Sequence, residues 1–522
     1  MPVAASNVPA TPPHGPRLRA RPSAAFVTGA LAWGLGLTLL LYYGLFYLQH
    51  VATLAAYPFD VDQGEGYDVT SGWLLWQGRP IYNDNARWPY YSSNYPPVFS
   101  LLLAPIVGTF GLSLAAGRLL SAAAALLTAV LIGLIVRRQS GHGPAALTAG
   151  LLYLASNYVY HVTPLARVNA LATLFALVGV YCCARIGRTE AGGSGGVRVG
   201  GGRAWVLGAA VAFLLALYTK QTTIDAVAAG LLYLLLRERR AAFAVVGMLG
   251  AAGGLIWLWL DVTSGGQFFV NIIVGNVNPW TLQQTVDYYR NFMEIHAILV
   301  GLAGWQAWRA WREGTWGPFD LYWLASLALA LTVGKWGAGE SYFLAPIAAS
   351  CVLAGGALAS LARGAPTSPA RMVAAGCLVL VQGVLMAHGP LYRLGPLFAD
   401  RGAQASVLAR EPTTADAASA GDLLAILRKS EGPILSEDPG YAIAAGHPVV
   451  GNATHLRNLH LAGVWSPDDL VADVRARRFG WIVLNAELYP EPVLEAIGQS
   501  YYLFEEYEIN GTRQQLFAPG EE

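Results

Sequence analysis

Charged residues are scarce in this sequence of 522 residues. Asp, Glu, Lys and Arg together make up 12% of the chain, whereas hydrophobic residues make up 55% and the mean hydropathy is +0.43. A soluble protein of this length needs a larger charged fraction to keep its surface hydrated, so the composition excludes an ordinary soluble enzyme. The net charge of +1 gives no sign of a nucleic-acid-binding protein.

Cysteine is also rare, and no C-x-x-C or H-E-x-x-H motif occurs. The four cysteines all lie within apolar runs: Cys182, Cys183, Cys351 and Cys377. Cysteines in such runs are typical of helix packing and not of a disulfide framework or a zinc site. The sequence therefore predicts neither a resident metal nor another cofactor.

Apolar runs of about 20 residues, the length that crosses the hydrocarbon core of a bilayer, recur along the chain. They predict a polytopic α-helical membrane protein with about eleven transmembrane helices. The predicted spans lie near 25–47, 112–136, 143–160, 166–184, 204–219, 222–236, 241–261, 293–312, 318–335, 342–362 and 371–388. With the N-terminus inside, the cytoplasmic loops carry more arginines than the outer loops, as the positive-inside rule requires.

This topology divides the chain into three regions. They are a basic cytoplasmic tail at 1–24, a transmembrane module at 25–388 whose first outer loop is 48–111, and an extracytoplasmic region at 389–522. In the last region, patterns typical of strands occur at 432–438, 447–451 and 481–486, and patterns typical of helices at 468–478 and 491–500. Their alternation predicts a small α/β domain.

Two further elements are predicted within the first outer loop. Residues 66–77 are typical of a helix that lies at the membrane surface, because Val69, Trp73 and Trp76 fall on one face. Residues 98–111 form a second apolar stretch that is too short to span the bilayer.

Carboxylates are concentrated in the same loop, where Asp60, Asp62, Glu65 and Asp68 fall within nine residues. One interpretation is a general base with a second carboxylate that orients an acceptor or tunes the base, since burial beside another acid raises a carboxyl pKa. The alternative is a capping box, in which Asp62 is the N-cap of the following helix and Glu65 is its N3 residue. The two roles are compatible.

Basic residues lie where three predicted helices reach the outer face: Arg167, Lys220 and Lys335. Cations at such positions commonly mark a pathway or an anionic ligand, and the alternative is a side chain that snorkels to the headgroups. Two of only three lysines occur here, which favours anion binding. Glu340, close to Lys335, is either part of the site or an ion-pair partner of that lysine.

The order of these segments resembles the GT-C superfamily of membrane glycosyltransferases, in particular the bacterial branch related to protein O-mannosyltransferases. The matching segments, within about residues 25–350, are DVDQGEGYDV, NYPPVF, GRLLS, ARVNAL, TKQT and GKWGAGESYFL.

The resemblance implies transfer of a sugar from a polyprenyl-phosphate carrier to a hydroxyl of a glycan, lipid or protein, with inversion, at the outer face of a bacterial plasma membrane. It implies the following roles: Asp60, Asp62 and Glu65 in catalysis, Lys220, Lys335 and Arg167 in binding the donor phosphate, and Tyr95, Gln221 and Glu340 in substrate binding. A transporter or lipid flippase is the alternative. The lack of an internal repeat and the gathering of charges on one face argue against it.

Overall fold

A computed structural model of the protein describes residues 23–186, 200–365, 368–388 and 410–520. The predicted tail at 1–24 lies outside the described residues, except for its last two positions. The segment 389–409, which opens the predicted extracytoplasmic region, also lies outside them.

A bundle of helices forms the larger part of the described chain. Its elements are α1 (Ala24–Ala56), α2 (Glu65–Trp76), α3 (Val98–Phe110), α4 (Leu114–Ser140), α5 (Gly143–Ala155), α6 (Asn157–Val162), α7 (Asn169–Ile186), α8 (Gly200–Leu217), α9 (Ile224–Arg237), α10 (Arg239–Met248), α11 (Gly254–Thr263), α12 (Gln267–Ile272), α13 (Leu282–Arg312), α14 (Pro318–Ala330), α15 (Leu344–Gly364) and α16 (Pro369–Leu385). A π-helical turn, Leu249–Gly253, joins α10 to α11, and short 3₁₀ turns occupy Gln221–Thr223, Val274–Asn276, Leu331–Gly334 and Glu340–Phe343.

All eleven predicted spans are helical for most of their length. In the described residues, five helical stretches are long and apolar enough to cross a membrane: Ala24–Ala56, Leu114–Ser140, Asn169–Ile186, Arg239–Thr263 and Glu340–Gly364. Most of the other predicted spans form shorter apolar helices. A multi-pass membrane protein is therefore confirmed, and the count of eleven spans only in part.

Small residues allow the helices of the bundle to pack closely. The first helix, α1, runs along α16, and a Cβ atom added to Gly376 would lie 2.2 Å from the carbonyl oxygen of Gly29. Such contacts between backbones bring dispersion attraction in a membrane, where apolar burial alone gives little driving force between helices.

The two elements predicted in the first outer loop are present. Helix α2 is followed by Gly78 and α3 by Gly111, both at positive φ, which glycine adopts without steric cost. Along α2, Val69 is buried, Trp73 is half-buried and Trp76 is exposed. The outward side of this short helix is thus apolar, as a helix at a membrane surface requires.

Residues 410–520 form an α/β unit at one end of the bundle. It contains α17 (Thr414–Leu427), β1 (Ile434–Ser436), α18 (Pro439–Ala445), α19 (Ala453–Leu461), α20 (Asp468–Arg475), β2 (Trp481–Leu484), α21 (Glu491–Ser500), β3 (Tyr501–Ile509) and β4 (Thr512–Pro519). The sheet order is β1-β2-β4-β3, with β1 parallel to β2 and the other two pairs antiparallel.

Two details of this unit differ from the sequence analysis. The predicted strand at 447–451 is wrong, because these residues form an irregular segment. The hairpin of β3 and β4 was not predicted, although Asn510 and Gly511 turn at φ values of 51° and 78°. An Asn-Gly pair between two segments of alternating hydrophobic and polar residues is a strong signal for a two-residue hairpin turn. This signal could have predicted the hairpin from the sequence.

The first outer loop takes part in the hydrophobic core of the α/β unit. Tyr57 and Phe59 pack in one buried cluster with Leu427 and Tyr441, and Tyr90 lies in a second cluster with Leu456. Because the loop and the α/β unit bury the same apolar surface, they form one body at this end of the bundle.

Candidate functional site

A cavity of about 490 Å³ lies between the end of the helix bundle and the α/β unit. Seven of the nine predicted site residues line it: Asp62, Tyr95, Arg167, Lys220, Gln221, Lys335 and Glu340. We call this space the polar cavity. The loop before α2, the turn before α3, the α6–α7 connection, the α8–α9 turn and the segment after α14 each contribute to its wall.

The three predicted cations converge on the polar cavity. The Lys220 ammonium donates a hydrogen bond to Asn169 Oδ1 at 2.7 Å and lies 4.8 Å from the ring centre of Tyr342. Lys335 Nζ donates to the carbonyl oxygen of Asn276 at 3.2 Å. In the described residues neither lysine forms an ion pair with a carboxylate, so no carboxylate occupies either ammonium group.

The pKa of Lys220 is lowered by burial and by the nearby cations. Burial, followed by repulsion from Lys335 and Arg167, lowers the pKa of Lys220 to about 7, although Asp68 and Asp225 act in the opposite direction. A negatively charged group in the cavity would relieve the repulsion and favour the protonated ammonium. The site is therefore suited to an anion.

Arg167 joins the cations to the acidic loop. Its Nε lies 3.3 Å from Asp62 Oδ2 and 3.6 Å from Asp68 Oδ2, and its Nη2 donates to the Tyr95 hydroxyl at 3.3 Å. The side chain passes directly over Gly64, where an added Cβ would lie 1.0 Å from the guanidinium. A glycine is thus required here if Arg167 is to keep this position.

The two aspartates beside Arg167 have different surroundings. The Asp62 side chain is 31% exposed and lines the polar cavity, whereas Asp68 is 6% exposed and does not. Burial raises the pKa of Asp68 to about 7 against the opposing effect of Arg167. Asp62 is therefore the carboxylate of this pair that can meet a ligand.

Glu65 lies outside the polar cavity in a fully buried ion pair with Arg118. Both side chains are inaccessible, and two parallel hydrogen bonds of 2.7 Å join the guanidinium to the two carboxylate oxygens. The backbone N–H groups of Ala166 and Val61 donate to the same carboxylate. Burial favours the neutral acid, but Arg118 and these N–H groups together lower the pKa of Glu65.

This geometry does not fit the expected catalytic role of Glu65. Its two oxygens accept from five N–H groups, and the side chain is inaccessible to solvent. The capping-box alternative is also wrong in detail, because the N-cap of α2 is Gly64 and not Asp62. Glu65 Oε2 nevertheless accepts from the Asp62 backbone at 3.3 Å, so the glutamate holds the loop that carries Asp62.

Asp60 is also absent from the wall of the polar cavity. Its carboxylate accepts from the backbone N–H groups of Gly66, in α2, and Gly440, in α18. Burial and the neighbouring Asp438 and Glu65 raise the pKa of Asp60, while the two N–H groups oppose them. Asp60 therefore links the first loop to the α/β unit instead of meeting a ligand.

The three predicted substrate-binding residues all reach the cavity wall. Glu340 Oε2 pairs with His161 Nδ1 at 2.9 Å and not with Lys335, so the alternative of an ion pair between Glu340 and Lys335 is wrong. Gln221 donates to the Ile272 carbonyl at 3.2 Å. Glu340 Oε1 and Gln221 Oε1 are buried without a hydrogen-bond partner in the described residues.

Further polar atoms of the cavity wall are also buried without a hydrogen-bond partner. Among the described residues, the other buried atoms of the wall without a hydrogen-bond partner are Gln63 Nε2, Asn278 Oδ1, Asn458 Oδ1 and Arg167 Nε, the last of which lies 3.3 Å from Asp62 Oδ2. An unpaired buried polar group costs about 1–3 kcal/mol. Several in one cavity indicate that a polar ligand or water binds there.

Part of the wall was not found from the sequence. Asn169 and Tyr342 hold Lys220, and the α/β unit contributes Thr454, Asn458 and Leu488. No motif typical of a sugar-transfer site occurs at 454–458 or at 488, and these positions lie far along the chain from the membrane helices. Only the folded chain identifies them.

No metal site emerges from the acidic loop. Within the described residues, no group of three or more His, Cys, Asp or Glu side chains is arranged to hold a metal ion. Independence of metals and cofactors stays a prediction.

The chain resembles known proteins in sequence and in fold. Residues 94–260 match a family model described as dolichyl-phosphate-mannose-protein mannosyltransferase. No curated protein is significantly similar to the chain in sequence.

Solved structures of at least two proteins resemble the chain over nearly its whole length. ArnT from Cupriavidus metallidurans, bound to undecaprenyl phosphate, is 17% identical, with a TM-score of 0.60 over 92% of this chain and 99% of ArnT. The oligosaccharyltransferase AglB from Archaeoglobus fulgidus, in complex with an inhibitory peptide and a dolichol-phosphate, is 12% identical, with a TM-score of 0.51 over 93% of this chain and 74% of AglB. The chain has the fold of the GT-C superfamily, as the sequence resemblance predicted.

The buried pair gives a prediction about stability. We expect Glu65→Gln to lower the free energy of unfolding by about 3–5 kcal/mol, because it leaves the Arg118 charge buried without a counter-charge. Unfolding of the purified protein, followed by circular dichroism during titration with SDS, measures this change.

Glu294→Gln is the matched control, since Glu294 forms an exposed ion pair with Arg290 at 3.2 Å. We expect it to change the free energy of unfolding by no more than about 1 kcal/mol. Equal effects of the two substitutions would contradict a structural role for the buried pair.

Proposed function

We propose that the protein is a membrane glycosyltransferase whose active site is the polar cavity. The observation that carries this proposal is the convergence of one partly exposed carboxylate, Asp62, with three cations, Arg167, Lys220 and Lys335, on a single cavity. An acid that can accept a proton and a cluster that can stabilise a leaving anion are the two requirements of sugar transfer from a phosphate carrier.

The proposed donor is a sugar linked to a polyprenyl phosphate. The cations suit its phosphate, because charge-assisted hydrogen bonds to phosphate oxygens are short and strong. The cavity lies at the ends of membrane helices, within reach of a lipid tail in the bilayer. The undecaprenyl phosphate bound by ArnT and the dolichol-phosphate bound by AglB, two proteins of the same fold, support this choice.

In the proposed reaction, an acceptor hydroxyl oxygen attacks the anomeric carbon of the donor sugar. Asp62 takes the hydroxyl proton as the new carbon–oxygen bond forms. The bond between the anomeric carbon and the phosphate oxygen breaks, and its electron pair stays on the lipid phosphate, where Lys220, Lys335 and Arg167 stabilise it. Attack opposite the leaving phosphate inverts the anomeric centre.

The remaining predicted residues receive supporting roles. Tyr95 positions Arg167, and the unpaired oxygens of Gln221 and Glu340 accept hydrogen bonds from sugar hydroxyls. Asp60 and Glu65 are positioning residues: they hold the loop that carries Asp62 and do not touch the substrate. Thr454 and Asn458 bring the α/β unit to the acceptor side of the cavity.

We place this cavity on the outer face of a bacterial plasma membrane, because the positive-inside rule puts the first loop and residues after 388 outside. A transporter or lipid flippase is less well supported. Transport sites lie near the middle of the membrane, whereas the polar cavity lies at one end of the bundle under the α/β unit.

The general base gives the main test. We expect Asp62→Asn to lower the transfer rate by about 10²–10⁴-fold, since an amide cannot accept the proton. The rate is measured with membranes given radiolabelled polyprenyl-phosphate-linked sugar.

Asp287→Asn is the control, because Asp287 lies in α13 outside the cavity and its carboxylate accepts from Gln283. Transfer at the wild-type rate by both variants would contradict the proposal.

The pKa of Lys220 gives a second test. Its ammonium form, which binds phosphate, predominates below a pKa of about 7 and is lost above it. The apparent affinity for the donor should therefore fall about tenfold from pH 6 to pH 8, in proportion to the charged fraction. Lys220→Arg should weaken this dependence, because arginine remains charged, while Asp68, whose pKa burial raises to about 7, still titrates in the same range.

Lys429→Arg, at an exposed position of the α/β unit, should leave the pH dependence as in the wild type. The donor KM, measured at each pH, reports the effect. The same pH profile for Lys220→Arg and the wild type would exclude Lys220 from donor binding.

A further inference from the structure

A second and larger cavity, of about 920 Å³, lies beside α2. Its wall is formed by the second half of α2, the first-loop segment 79–91, the turn after α11 and residues 443–449 of the α/β unit. It shares no lining residue with the polar cavity. We call it the interfacial cavity.

The lining of this cavity combines apolar and polar parts. Trp73 and Leu112 are apolar groups on the bundle side, whereas Asn83, Asp84 and Arg87 supply amide, carboxylate and guanidinium groups from the first loop. Such a wall suits a ligand with an apolar end and a headgroup rich in hydroxyls.

Aromatic rings add a second feature. Tyr82, Trp88 and Tyr91 all line the cavity, and the Trp88 ring is held in place by the Arg478 guanidinium, 3.6 Å from its centre. The C–H groups on one face of a pyranose ring pack against such rings, while vicinal hydroxyls pair with planar polar side chains. Thr70 Oγ1, also in the wall, is buried without a partner in the described residues.

The interfacial cavity lies at the level where the membrane helices end. Leu112 lies just before α4 begins, and Thr263 is the last residue of α11, so both mark the level at which apolar helices end. Trp76, on the outward side of α2, is exposed at the same place. Tryptophans and helix ends are typical of the headgroup level.

One chain segment separates the two cavities. Tyr91 lines the interfacial cavity, and Tyr95, four residues later, lines the polar cavity. Four residues of extended chain span at most about 14 Å, which is comparable to two or three linked sugars. At this segment, the distance between the two cavities is therefore no greater than the length of such an oligosaccharide.

We propose that the interfacial cavity binds the sugar headgroup of a membrane-anchored glycolipid, which is the acceptor. This inference rests on the proposed function, because it places the reacting sugar of the acceptor in the polar cavity and the sugars nearer the lipid in the interfacial cavity. In this proposal, the lipid tail of the acceptor lies in the bilayer beside α2 and α3.

The test uses the full chain in lipid nanodiscs that contain a diglycosyl diacylglycerol with a photoreactive diazirine on its disaccharide. After irradiation, mass spectrometry locates the label. We expect labelled peptides at 73–91 and 443–449. Unlabelled diglycosyl diacylglycerol should compete, and phosphatidylglycerol or the free disaccharide should not.

A matched pair of tryptophan variants separates this cavity from general membrane contact. Trp73→Ala should reduce labelling roughly tenfold, because it removes an apolar ring from the wall. Trp76→Ala should leave labelling unchanged, since Trp76 lies on the same helix but does not line the cavity. Equal loss in both variants would overturn the proposal.

A second pair of variants tests the same cavity in case the Trp73 variant misfolds. Arg87 and Arg290 are both exposed and each forms a local ion pair, with Asp84 and Glu294. Arg87→Ala should weaken labelling several-fold, and Arg290→Ala should not. Equal labelling of these two variants would contradict a role for the first-loop wall.

The remaining outcomes are distinct. Equal competition by phosphatidylglycerol would mean a pocket for any headgroup, and equal competition by the free disaccharide would mean a soluble glycan; either overturns the proposal. Asp62→Asn should keep full labelling while it loses transfer. If transfer depends on Asp62 but no labelling occurs, this inference alone is contradicted. If labelling occurs but transfer does not depend on Asp62, the proposed function is contradicted.

Discussion

The buried pair of Glu65 and Arg118 is the interaction on which the first outer loop depends. Arg118 belongs to α4, and besides Glu65 its guanidinium donates to the carbonyl oxygens of Leu54, Tyr57 and Phe59. One side chain thus joins the end of α1, the start of the loop and the beginning of α2. A buried ion pair is favourable only when such additional hydrogen bonds satisfy both partners, and here they also determine where the loop leaves the bundle.

The charges of the polar cavity are arranged around Arg167. It lies between Asp62 and Asp68, so that two carboxylates share one guanidinium while Lys220 and Lys335 stand without an acidic partner in the described residues. Burial and repulsion from Lys335 and Arg167 disfavour the charged form of Lys220. An anion in the cavity would relieve this repulsion, and under the proposed function that anion is the phosphate of the donor.

The α/β unit and the membrane helices act together because they share the first loop. Tyr57 and Tyr90 belong to the hydrophobic cores of the unit, and Asp60 accepts from Gly440 at the start of α18. The same loop separates the polar cavity from the interfacial cavity. The first loop packs against the α/β unit and lines both cavities. A displacement of the α/β unit would therefore change the shape of both cavities through this loop.

The membrane character, the helical segments and the elements of the first loop follow from the sequence, because hydropathy and turn residues act locally. The sequence also indicated the charged residues that line the polar cavity, since scarce charges at helix ends are conspicuous in an apolar chain, but it did not indicate the wall residues of the α/β unit. It could not separate Asp62 from Glu65. Both are acids in one loop, and only the position of Arg118, 53 residues further on, decides that Glu65 is buried and Asp62 faces the cavity. Burial and pairing depend on which distant segments meet, and the tertiary structure alone determines that.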